Sequence, residues 1–309
     1  MTARPERRAG RLGIWSAVPV VAFLLVAPVG LLLVPLAALG VARSIRTREV
    51  TVLGAVAVGA AAWWLWPVSP PPDQIVRAVA VIGAATFTAF GGPGSNPITP
   101  RVLLSTVVTA LGGALLVGLA GIWPATAWWI ESRVALVQVQ LLQLAQVATP
   151  RTDIIPMVEV IPDVLVGLFP AIIALQMMAG LVLAASIGVG TGLAGPEDAP
   201  GALAEFRFSE HLGWLAVLAL GMLILGVPAG AGWWAGNVLV VMGALYALRG
   251  AAVWWFLLRS RRRPGCLMAA LLVVAGVFLW QAVLAAIIVL GVVDSGFDLR
   301  TRWTRSRST

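Results

Sequence analysis

A chain of 309 residues with 60% hydrophobic and only 11% charged residues is not an ordinary soluble domain, in which about 25% of residues are charged. Its net charge of +8 comes wholly from arginine, since lysine is absent. In so apolar a chain this points to membrane topology and anionic-lipid contact; nucleic acid is excluded, because no basic stripe is interleaved with aromatic residues. Cys266 and His211 are the sole cysteine and histidine, so neither an intrachain disulfide nor a His/Cys metal site is expected, and no cofactor is implied.

Residues 1–11 form a basic tail with Arg4, Arg7, Arg8 and Arg11. An apolar run follows, but no small-residue cleavage site leads into a soluble chain, so an uncleaved membrane segment is expected. Leu12 to Ala42 is too long for one ordinary span and too short for two. Pro19, Pro28 and Pro35 interrupt it, which predicts a helix to about Val26, a break at Ala27 to Gly30 and a short helix ending near Arg43. Two readings stay open. One is a kinked helix. The other is a pair of half-length helices shielded by protein, the arrangement that marks transporter binding sites; Pro28 and Pro35 would then border a solute site.

Further spans are predicted at Val50–Pro67, Ile75–Gly92, Val102–Trp123, Val164–Gly188, Gly213–Ala229, Gly236–Leu258 and Cys266–Val293. Between them, Gln140, Gln143 and Gln146 recur every third residue, a polar stripe at helical pitch. It suits an interfacial helix, glutamines turned into the bundle, or a solute path through Gln140 and Gln143. Glu159 and Asp163 would share a helix face and could hold a cation or relay protons. Alternatively Asp163 caps the following span. Gly190 to Gly195 fits G-x-G-x-x-G, but a membrane span precedes it where the dinucleotide fingerprint needs a strand. Gly91 to Pro97 reads as a tight irregular turn between two spans, or alternatively as a ligand-contacting loop. Rows of small residues (Ala110, Ala114, Gly118; Gly226, Gly230; Ala38, Ala42) have helix-packing spacing.

Arg77 lies near a span end and can snorkel. Arg249 lies too deep for that, and a buried ionisable group faces the bundle interior or a cavity. Gln281, midway in the last span, is its expected polar partner. The pair either contributes to a solute site or only holds helices together. Tryptophan clusters (Trp63, Trp64 and Trp66; Trp123, Trp128 and Trp129; Trp233 and Trp234) and the arginine-rich loops on the opposite face place the N-terminus in the cytoplasm. This leaves residues 294–309, a second basic tail, as the exception.

Three stretches of the C-terminal third resemble the YybS-like family of bacterial multi-pass membrane proteins, whose function is unknown. They are Phe206-Arg207 leading to Gly213-Trp214-Leu215-Ala216, the span from Leu245 through Tyr246, Arg249 and Gly250 to Val253, and Leu290 to Arg300 with its Gly291, Asp294, Asp298 and Arg300. Leu299 stands where that family usually has an aromatic residue, and Ser209 to His211 replaces a proline-containing turn. The family is distantly similar to the substrate-binding membrane subunits of energy-coupling-factor transporters. The resemblance implies a small-molecule site among the helices and a separate ATPase partner; it transfers no binding residues.

The expectation is one all-α integral-membrane domain over 1–309, with eight or nine membrane segments, in the bacterial cytoplasmic (inner) membrane. It binds a small solute as a transporter-like subunit, or alternatively scaffolds or regulates an envelope or nucleotide-signalling complex. It is not an enzyme, since a nucleophile, base or metal cluster is missing.

Overall fold

The structure is a computed structural model that describes residues 23, 27–44, 70–91, 98–148, 161–195, 199–201, 203–260 and 279–305. Every regular element among them is helical: α1 (Gly30–Ser44), α2 (Pro71–Ala89), α3 (Ile98–Ala120), α4 (Trp123–Ala148), α5 (Ile161–Thr191), α6 (Gly213–Ile224), α7 (Ala229–Ser260), α8 (Trp280–Phe297) and α9 (Leu299–Arg305), with 3-10 turns at Leu203–Glu205 and Glu210–Leu212. Among the described residues four stretches are long and apolar enough to cross a membrane: Ile98–Ala120, Ile161–Thr191, Gly232–Leu258 and Trp280–Phe297. The predicted span Val50–Pro67, residues 266–278 of the span Cys266–Val293, and Glu159 lie outside the described residues.

The chain divides into two compact units, Met1–Pro200 and Gly201–Thr309. In the first, α2 and α5 form the centre, and α1, α3 and α4 each pack on both. Helix α2 starts where Pro71 and Pro72 preset the first turn, with Asp73 beside them. It is buried on more than one side, from Ile75 and Val76 to Phe87 and Thr88. Gly83 gives room to the Met177 methyl of α5.

The predicted break before α1 is present. Ala27 to Val29 is a bend and turn, and the helix runs on from Gly30 to Ser44. Pro28 is exposed there. Pro35, however, does not interrupt. It sits inside α1, fully buried. A proline leaves the carbonyl four residues back without its helical bond. That carbonyl, on Leu31, faces Gly180 of α5, where a side chain would collide with it.

Several other expectations resolve in this unit. Asp163 lies in the first turn of α5, exposed, not ahead of it as a cap. Gly190 to Gly195 ends α5, with Gly192 at φ 78° and the Ala194 amide donating to the Gly188 carbonyl, a left-handed glycine stop. The small-residue row Ala110, Ala114 and Gly118 faces outward, and nothing lies near a side chain added at Gly118. Gln140 and Gln143 are exposed on α4, whose buried contacts come earlier, at Thr126 and Ile130.

The second unit is a helix hairpin joined by α8. A Schellman stop ends α6: the Val227 amide donates to the Met222 carbonyl, the Gly226 amide to that of Leu223, and Gly226 has φ 61°. Helix α7 follows and packs along both α6 and α8. Gly250 of α7 abuts the Ile287 carbonyl, and Gly291 of α8 abuts the Tyr246 carbonyl. The numbering runs in opposite directions, so the two helices are antiparallel. At both points a methyl group would strike backbone, so glycine is required for this approach.

Candidate functional site, a buried arginine–aspartate–arginine cluster

That close approach sets what Arg249 meets. Its Nε donates to Asp294 Oδ2 at 2.9 Å and its Nη2 to the Asp294 carbonyl oxygen at 3.0 Å. Arg300 Nη2 donates to the same Oδ2 at 2.9 Å and to the Phe206 carbonyl at 3.1 Å. Arg249, Asp294 and Arg300 are 3%, 0% and 5% exposed, so three charges are held away from solvent. Arg249 Nη1 and Asp294 Oδ1 are buried without a hydrogen-bond partner among the described residues. The Arg249 guanidinium stands 5.5 Å from the Phe208 ring centre, and Phe208 meets Tyr246 edge-on at 5.2 Å.

The chain must reverse for Arg300 to reach Asp294. Asp298 makes that turn in the left-handed region at φ 44°, its amide bonded to the Asp294 carbonyl at 3.0 Å. Its carboxylate accepts from Arg207 at 3.0 Å and from the Thr301 hydroxyl at 2.6 Å. The Thr301 hydroxyl is the main cause, and Arg207 a further one, of a carboxyl held below the usual range against the opposing effect of burial. The reversal also builds a cavity of about 390 Å³. Val253, Phe256 and Leu257 of α7 and Leu299 form its apolar wall, and Arg300, Arg302 and Trp303 line the rest.

The partner expected for Arg249 at Gln281 is therefore Asp294. Gln281 is the second residue of α8 and exposed. Thirteen residues, roughly 20 Å of helix, separate it from Asp294. Pro28, Pro35, Gln140, Gln143 and Asp163 belong to the first unit; none of them joins Arg249 in the cluster. Residues 294–305, expected as a basic tail, instead supply the carboxylate and the second arginine, because α9 folds back onto α7 and α8. Sequence reasoning passed over Asp294 and Arg300 as site residues. The available signal was a carboxylate closing the same apolar run in which a partner for Arg249 was sought.

The three stretches singled out by the sequence thus meet at one place: Phe206 and Arg207, Tyr246 to Gly250, and Gly291 to Arg300. The model of the family described as predicted membrane protein (DUF2232) matches residues 101–295, and the chain belongs to that family. No curated protein and no solved structure matches the chain.

Proposed function

We propose that the chain is a multi-pass protein of the bacterial inner membrane that binds a small solute, as a transporter-like subunit, at the cavity beside Arg300. The observation that supports this reading most is a largely apolar cavity with an exposed arginine, Arg302, among its lining residues. Behind it Arg249 and Arg300 share Asp294, which holds α7, α8 and α9 around the space. Its volume lies within the range of small-molecule sites, about 300–1,000 Å³. The likeness to YybS-like proteins, and through them to energy-coupling-factor subunits, supports a solute-binding role working with a separate ATPase.

A second reading is a membrane scaffold or regulator of an envelope or nucleotide-signalling complex. It is favoured by the bonds of Arg249 Nε and Nη2 to Asp294 within the protein and by the tight seat of Pro35 and Leu31 on α5. Thermal stability of the purified protein against vitamins, nucleosides, amino acids, lipidic anions and metal ions separates the two. A ligand at 100 times its Kd stabilises the folded state by about 2.7 kcal/mol. A dose-dependent shift that disappears in Arg302→Gln supports solute binding at this cavity. A flat response to every compound favours the scaffold.

A further inference from the structure

We infer that water enters the second unit as far as the middle of its membrane helices, in a blind vestibule lined by residues 203–212, whether the unit binds a solute or serves as a scaffold. Tyr246 marks the depth. It lies fourteen residues from Gly232 and twelve from Leu258, the ends of the apolar stretch of α7, so about 21 and 18 Å of helix run to either side. Three elements converge on it. Gly213, the first residue of α6, lies against the Tyr246 hydroxyl, and Gly291 of α8 abuts the Tyr246 carbonyl. Phe208 meets the Tyr246 ring. From there α6 runs along α7 toward Gly232, which lies beside Leu223. Helix α8 covers the other half, with Ile287 at Gly250 and its start at Trp280. The 12 residues of α6 reach about 18 Å, short of the roughly 30 Å hydrocarbon core.

Both halves need lipid. Leu218 and Ile224 on α6 and Leu284 and Val289 on α8 are exposed, and either set in water would leave a large bare apolar patch. A bilayer that takes in both places Tyr246 near its centre. The chain just ahead of α6 is nevertheless not α-helical. It passes through the 3-10 turns Leu203–Glu205 and Glu210–Leu212, and its Glu205, Arg207, Glu210 and His211 are exposed. Glu210 and His211 stand between Phe208 and Gly213, both held at Tyr246, so their depth is fixed. Irregular backbone at membrane depth persists only inside protein or beside water. Ionisable side chains there are too costly facing lipid. Exposed as they are, these four face water.

The test uses the full chain in proteoliposomes, with its single native cysteine removed by Cys266→Ser and one new thiol introduced at a time. Glu210→Cys and His211→Cys report on the vestibule, Leu218→Cys on α6 and Val289→Cys on α8. A variant is used when its thermal unfolding matches the Cys266→Ser parent; Ser209→Cys, exposed in the same turn, replaces a loop variant that fails. A membrane-impermeant maleimide is added to one face or the other, and the denatured variants set full reactivity. A thiol in hydrocarbon stays protonated and unreactive, because the thiolate is the nucleophile. The loop positions should therefore react from one face only, at least about tenfold faster than Leu218→Cys and Val289→Cys. Equal protection of all four positions would mean a dry junction and overturn the vestibule. Rapid labelling of Leu218→Cys or Val289→Cys alongside the loop would put that half of the unit outside lipid and overturn it too. Labelling of the loop from both faces would replace the blind vestibule by a through path.

Discussion

The two units use their buried polar groups differently. In the first, buried hydroxyls turn back on their own helices. Thr88, Ser105, Thr106 and Thr109 each donate to a carbonyl one turn earlier. Arg101, though buried, donates to the Phe87 carbonyl at the end of α2 and lies over the Phe87 ring at 3.8 Å. Arg101 thus ties α3 to α2, and apolar side chains and glycines such as Gly83 and Gly180 supply further contact between helices. In the second unit the polar groups reach across: one carboxylate ties α7, α8 and α9 together, with the loop at Phe206 fastened to the same knot. A hydroxyl satisfied within its own helix adds no tie to a neighbour, whereas a buried charge shared among three helices favours one register.

The sharpest way to break this contrast is Asp294→Ala. It strands two buried arginines and should destabilise the second unit by about 3–5 kcal/mol or more, read as lowered thermal unfolding and early proteolysis within residues 201–309. Replacing all three charges together (Arg249→Met, Asp294→Leu, Arg300→Met) should recover most of that loss; a triple variant as unstable as Asp294→Ala would mean that packing, not charge, holds the helices. Next come the glycines. Gly291→Ala and Gly180→Ala each push a methyl group into backbone and should cost about 1–3 kcal/mol. Equal costs would show that close approach matters alike in both units. Thr109→Val probes the self-satisfied type and should cost no more than about 0.5–1.5 kcal/mol; a larger loss would reveal a tie between helices.

The smallest effect is expected at the rim. Arg207→Ala should cost about 0–1 kcal/mol, since the pair with Asp298 is half exposed. Asp298 follows the end of the α8 span and has its carboxyl lowered. Its contribution is therefore present above the usual carboxylate range and lost as pH falls through the lowered value. Unfolding measured from neutral pH into the acid range should show the difference between parent and Arg207→Ala only while Asp298 is ionised.

Helical character and membrane placement were legible because long apolar runs state them directly. Arg249 was legible for the same reason, as a charge where none is cheap. Its partner was not, because pairing depends on how far two antiparallel helices overlap, and that is fixed by Gly250 and Gly291. These glycines sit among 33, and nothing local marks the two that touch a neighbour's backbone. Pro35 misled for a related reason: the tolerance of a proline inside a helix lies in what receives the freed carbonyl, here a glycine on another helix. Asp298 likewise reads as tail until its left-handed turn sends α9 back over the pair.

The order of the cluster along the chain has a consequence for synthesis. Arg249 precedes its counter-ion by 45 residues. At about 5–20 residues per second, a ribosome delivers Arg249 roughly 2–9 s before Asp294. During that interval the apolar helix carries a lone arginine, which on insertion scales costs about 2.5–3.5 kcal/mol at the centre of a span. The nascent helix carries that cost until the last helix arrives, so chains truncated before Asp294 should be cleared faster by membrane proteases than the full chain, read by pulse-chase.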